Sequence, residues 1–135
     1  MLFLAALMQD IEDAGIATAG ADFYAGSYPV GAGDKCSVIR QSPGPEQSKD
    51  LPVEEHLIQF LSRAPDYRDA YAVVRAVYER YHGKPVAGSW DAKHNYLIGG
   101  YYVQTSKALQ QPGDIGPDEK DRAEVSLNLL FKVRL

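Results

Sequence analysis

The chain has 135 residues, 45% apolar and 24% charged, with 18 acids against 14 lysines and arginines for a formal net charge of -4. That length suits a single domain spanning 1–135, whose core buries roughly two thirds of the unfolded surface, and the mixture is that of a globular chain, not a disordered one. The mildly acidic balance argues against a nucleic-acid-binding surface, which needs clustered lysine and arginine, and the single cysteine, Cys36, rules out an intrachain disulfide or a thiolate zinc cage.

The apolar start, Met1 to Met8, has no basic flank and runs straight into Gln9-Asp10-Ile11-Glu12-Asp13, so it reads as a poor signal peptide, and no apolar run reaches the ~20 residues of a membrane span. The chain is expected to be made and kept in the cytosol. Leu4, Leu7, Met8 and Ile11 fall at helical spacing, with polar residues between them and Gly15 as the stop. Phe23-Tyr24 and Cys36-Ser37-Val38-Ile39 read as short strands around a glycine-rich connection.

Residues 41–52 hold three prolines and a glycine and read as a loop. Residues 54–63 follow as a strand with apolar groups on both faces, which predicts a central position covered on both sides. Pro65-Asp66 then opens a helix that Gly83 closes. Asp66 is placed to cap its first turn, and Tyr67, Ala70, Tyr71, Val74, Val77, Tyr78 and Tyr81 form one stripe at i, i+3, i+4, i+7. Such a stripe more often packs on a sheet than stacks a ligand. His82, at the end of this helix where the C-terminal dipole favours a cation, reads as a capping residue.

A turn around Gly88-Ser89-Trp90-Asp91 leads to a strand from Tyr96 to Thr105, with Gly99-Gly100 expected as a bulge inside it. Residues 106–122 read as a second long loop. Val125, Leu127, Leu129, Phe131 and Val133 then alternate with polar residues in the clearest strand of the chain. The order predicts an α+β fold: a mainly antiparallel sheet, one or two helices packed on one face, and long projecting loops.

No catalytic pattern accompanies this. His56, His82 and His94 lack ligand partners at helical spacing, Gly31-Ala32-Gly33-Asp34-Lys35 lacks the spacing of a phosphate loop, and Asp114, Asp118, Glu119 and Asp121 do not match a calcium loop. The expectation is therefore no catalysis, no cofactor and no bound metal. Loops well beyond the ~4–6 residue median are usually functional. The second joins two strands expected to pair, so it would project as an arm that clasps a neighbour.

Three stretches then resemble a known family. Val53 to Ala70, in which a strand ending in Arg63 runs directly into a helix, is similar to the small minor capsid and tail terminator proteins of tailed bacteriophages. So is Ala108 to Arg122, with its proline, glycine–aspartate and arginine before a final strand, and so is Tyr24-Ala25-Gly26-Ser27-Tyr28-Pro29. The longer, more polar 41–52 departs from the pattern. The resemblance implies a six-fold ring at the head-proximal end of the tail tube, which stops tube polymerisation and presents a surface to the head-completion protein while DNA passes through the lumen without specific binding. Its implied partners are further copies of the chain, the tail tube protein and the connector. Asp114, Asp118, Glu119 and Arg122, with Arg63, are the candidate interface residues.

Three other readings stay open. A head-completion or stopper protein of the connector would have the same general character. A small metal-dependent hydrolase or nuclease would need its scattered acids to converge on a cation. A binding module would use the tyrosine helix, with its rings turned outward.

Overall fold

The computed structural model describes residues 2–42, 52–82, 85–86, 89–90 and 92–134. Helix α1 spans Phe3–Asp13 and buries Phe3, Ala6, Leu7 and Ile11. It ends at Gly15, whose φ of +74° lets the Gly15 and Ile16 amides donate back to the Glu12 and Ile11 carbonyls. Those paired bonds satisfy two of the carbonyls that every helix end leaves open. Strands β1 (Phe23–Ala25) and β2 (Cys36–Ser42) follow, then β3 (Val53–Ala64) and helix α2 (Tyr67–Tyr81). Asp66 caps α2 as expected, accepting a 2.8 Å hydrogen bond from the Arg68 amide. Two two-residue strands, β4 (Pro85–Val86) and β5 (Ser89–Trp90), pair with each other. The chain then continues through β6 (Lys93–Ile98), β7 (Tyr101–Ala108), β8 (Gly113–Pro117) and β9 (Ala123–Arg134).

The main sheet runs β1-β2-β3-β9-β7-β6. Among the described strands of this sheet, β1 and β2 pair in parallel and the other pairs are antiparallel, which bears out the α+β reading. The backbone of the sheet is the unbroken pairing of β3 with β9, from Val53↔Arg134 to Ala64↔Ala123. Both helices lie on the same face. Phe131 is fully buried there, 5.3 Å from the Phe3 ring of α1 and 5.5 Å from the Tyr81 ring of α2, centroid to centroid. Ile58, Phe60, Val125, Leu127 and Leu129 complete that core, with Ala70, Val74, Val77, Tyr78 and Tyr81 of α2. The tyrosine stripe therefore packs on the sheet, while Tyr67 and Tyr71 at its start pair with each other nearer the surface.

Three expectations are corrected. The predicted strand 96–105 is two strands, β6 and β7. Gly99-Gly100 forms the turn between them, with Gly99 at φ +59°, and the register shift lies further on, between Val103 and Thr105. Two glycines between alternating runs are a hairpin signal that a reading for a bulge overlooks. The predicted loop 106–122 is largely strand. Residues 106–108 belong to β7, and β8 pairs with β9 from Gly113↔Ser126 to Pro117↔Ala123. Glycines and prolines hide it from any hydrophobic pattern. It forms because β3 fills one side of β9 and β7 stops at Leu129, which leaves the Ala123–Ser126 backbone needing partners. Gly116, at φ +93°, sits at the bulge that fits β8 to this edge. The segment thus folds back along the sheet instead of projecting as an arm. Third, β3 is covered on both faces only towards its Arg63 end. Ile58, Phe60 and Ala64 face the helices and are buried, but Leu57 and Gln59 on the other face stay partly exposed.

Gln41 and Ser42 of the first predicted loop belong to β2; residues 43–51, the helix stop at Gly83, and Gly88 and Asp91 of the predicted turn lie outside the described residues.

Candidate assembly surfaces

The residues that sequence reading singled out gather at one end of the sheet, where β3 runs into α2 and β8 turns into β9. Asp118 opens that turn. Its carboxylate accepts from the amides of Lys120 and Arg122 at 3.0 and 2.9 Å, which closes a tight loop around Asp121, a non-glycine residue at φ +60°. The Arg122 guanidinium then bridges two acids, donating to Asp118 at 2.7 Å and to Asp34 at 3.1 Å. Arg122 and Asp118 are largely covered, whereas Asp34 stands in solvent. Burial pushes the Asp118 carboxyl up, but the hydrogen bonds from Arg122 and Lys120 outweigh it and hold the group below the usual carboxylate range.

Arg63 lies beside this latch on the helix-free face of the sheet, only 8% exposed. Its guanidinium carbon sits 3.9 Å from the centre of the Tyr28 ring, and its terminal nitrogen donates to the Gly33 carbonyl at 3.1 Å. Cys36 donates to the same carbonyl, and Arg40 donates to Gly26 at 2.7 Å. The glycine-rich segment 26–35 is thereby laid across the sheet. Desolvation pushes the Tyr28 hydroxyl well above its ordinary range and raises the Cys36 thiol too, so both stay protonated. Burying an arginine is costly unless its donors are met, and among the described residues the Nε of Arg63 has no hydrogen-bond partner.

The structure therefore brings Arg63, Asp118 and Arg122 together as internal ties, with Asp114 and Glu119 exposed on either side of them. Asp114 accepts from the Gly116 amide at 2.8 Å across the β8 bulge. Sequence reading took Tyr28 and Asp34 only as members of short motifs, and gave neither its role in tying the glycine-rich segment to Arg63 and Arg122. The only signal for them was one aromatic ring and one acid inside a run of glycines, which carries no period.

Elsewhere the polar groups serve the fold. Asp10 of α1 accepts from Arg80 at 2.9 and 3.1 Å and from the Tyr81 hydroxyl, and so clasps the two helices. His82 caps the end of α2 as expected, its amide donating to the Tyr78 carbonyl, but its ring is a neutral acceptor and not a cation. Its Nδ1 takes the Ala108 amide hydrogen at 2.9 Å, and desolvation holds its pKa below the ordinary value of 6.5. His56 stacks on Phe3 at 4.7 Å. Among the described residues, no three His, Cys, Asp or Glu side chains gather as metal ligands would, and no helix is long and apolar enough to cross a membrane.

A family model described as "Bacteriophage tail terminator protein" matches residues 11–135. Among solved structures, a chain of one titled "Virion of native gene transfer agent (GTA) particle" is similar to this one, with a TM-score of 0.60 and 16% sequence identity, covering 98% of this chain and 95% of that one. No curated protein matches.

Proposed function

The chain belongs to the bacteriophage tail terminator family and is a structural tail protein, and from that premise we propose that it forms a ring, six-fold by the family resemblance, on the head-proximal end of a tail tube. There it stops tube polymerisation and presents its other side to the head-completion protein. DNA crosses the lumen without being specifically held. The family match over 11–135, which takes in the sheet and all of α2, carries this reading. Two features of the chain agree with it. The acidic balance suits a protein that lets DNA past. The latch of Asp118, Arg122 and Asp34 makes a rigid corner, on which exposed Asp114 and Glu119 can meet a neighbour or the tube without the ordering cost of a loose loop.

Inactivating the gene in its phage and imaging the particles tests the proposal. Headless tails of uncontrolled length beside full heads are the expected result. Tails of normal length that fail to join heads would move the protein to the connector side, as a head-completion or stopper protein. Intact infectious particles would overturn both.

A further inference from the structure

A net charge of -4 hides how the fold sorts its charges between the two faces of the sheet. Alternation along each strand assigns the side chains. Phe131 and Val133 are buried on the helix side, so Lys132 and Arg134 stand on the helix-free face. Ser106 donates to the Tyr81 carbonyl of α2, so Lys107 points away from the helices. Ile39 is buried opposite Phe60, which puts Arg40 on the helix-free face as well. Arg40, Lys107 and Arg134 are exposed, and the Lys132 side chain is 43% exposed.

Acids are scarce on the same face. Among the described residues, the strands β2, β3, β9, β7 and β6 put two there. Glu55 lies 3.7 Å from Lys132, and Glu124 lies opposite Arg63, at the end that the segment 26–35 covers. Glu54 points to the helix side, where it meets His56. Asp10, Glu12, Asp13, Asp69 and Glu79 belong to the two helices on that side. The pairing register then sets the four cations in order. Four rows cross the sheet in succession: Arg40-Gln59-Asn128, Leu57-Leu130-Lys107, Glu55-Lys132-Thr105 and Val53-Arg134-Tyr102. Each row holds one cation, and neighbouring rows stand about 7 Å apart along the strands. The result is a ladder of positive charge about 20 Å long.

We propose that this ladder contacts the phosphates of double-stranded DNA, and that it is the face each subunit turns to the lumen; the placement in a lumen rests on the ring reading. Three observations favour DNA over an acidic protein surface. The cations form an extended line, and a duplex offers an extended line of charge, one phosphate for every ~1.7 Å of its axis, so any register along it finds partners. The groups between the cations, Gln59, Asn128 and Thr105, are polar and only partly buried, and the floor adds just Leu57 and Leu130, also partly buried. A protein partner would want an apolar centre depleted of lysine, whereas DNA interfaces are polar and positive. The face is also flat, with no helix or ribbon raised from it to enter a groove, so it reads charge and not bases. Four cations against one nearby acid hold a duplex weakly and let it slide, which agrees with DNA that crosses the lumen without being specifically held.

Fluorescence anisotropy of the full chain with two duplexes of unrelated sequence, between about 20 and 150 mM salt, tests the contact. The wild type should bind both sequences alike, log affinity falling against log salt with a slope of about -3, as expected for roughly three to four neutralised phosphates. Lys107→Gln with Arg134→Gln removes two exposed rungs and should make that slope shallower by about two. Lys35→Gln with Lys120→Gln removes the same charge from exposed positions off this face, one at the rim of the α1–α2 groove and one in the turn before β9, and should leave the slope unchanged. Thermal melts check that both pairs fold; if the first pair does not, Lys107→Gln alone should lower the slope by about one. No binding at the lowest salt, or equal losses from the two pairs, would overturn the contact. So would polyglutamate that displaces the duplex at a lower charge concentration than unlabelled DNA does, which would make the face a site for an acidic protein. Tail imaging is read separately. Tails of uncontrolled length without this gene, from a chain that binds no duplex, would keep the ring and overturn the contact. Duplex binding by a chain whose loss leaves particles intact would keep the contact and overturn its place in a lumen.

Discussion

Phe131 is where the fold is most exposed to a single change. Its ring meets one helix through Phe3 and the other through Tyr81, so Phe131→Ala opens a cavity that no single element can close. A loss of about 3–5 kcal/mol is expected, measured as a lowered midpoint in urea with an unchanged slope. His82 gives a pH signature. Its native pKa is depressed by desolvation, so as pH falls below 6.5 the unfolded chain takes up a proton that the native imidazole resists. Stability is therefore full above 6.5 and declines as pH falls towards the native value. His82→Asn, which keeps an acceptor for the Ala108 amide, should flatten the stability profile between about pH 5 and 7; thermal melts across that range check it. Both residues stood in plain view in the sequence. Phe131 was legible as core from its alternating strand. The state of His82 was not, because nothing in the linear order says that the Ala108 amide would arrive at its ring.

Among the elements, the clasp between α1 and α2 joins groups some seventy residues apart. Burial raises the Asp10 carboxyl, but hydrogen bonds from Arg80 and Tyr81 outweigh this and leave its pKa below 3.8. The clasp therefore stabilises the fold above about pH 4 and fails as pH falls through that lower native value. Asp10→Ala strips the buried Tyr81 hydroxyl of its acceptor. It should cost about 1–3 kcal/mol at neutral pH and remove that part of the acid sensitivity, as acid-titrated unfolding would register. The β6–β7 hairpin makes a second test. Gly99 has φ +59°, and a Cβ there would come within 3.3 Å of the Ala6 Cβ. Gly99→Ala should cost about 1–2 kcal/mol and shift the amide resonances of α1 as well as those of the hairpin. The glycine pair was visible in the sequence but was read as a bulge, and only the pairing of β6 with β7 made it a turn. β8 was not legible, since its residues carry no period and its existence depends on an edge that only the assembled sheet provides.

For the whole molecule, the corner latched by Asp118, Arg122 and Asp34 is where the assembly reading can be tested. A deletion of residues 111–119 would remove strand pairing along β9 as well as loop residues, so any loss of tail capping would mix a folding defect with an assembly defect. Glu119→Lys, on an exposed side chain, is the cleaner probe. It should leave the melt unchanged and lower tail capping, scored by tail length under the microscope.

By itself, the sequence determined the two helices, the stop of α1 at Gly15, the cap of α2 at Asp66, the strands β3 and β9, and the α+β class. Each of these is written in local periods of 3.6 or 2, or in a capping residue beside them. It also held the family resemblance, carried by short motifs in the right order. Only the tertiary structure decided that residues 113–117 are a strand and that Arg63 and Arg122 turn inward as ties. The reason is the same in both cases. A backbone takes up whatever partner an open edge presents, and a charged side chain takes up whatever acid, carbonyl or ring the folded chain brings to it. Both partners arrive from distant sequence, where no local pattern records them.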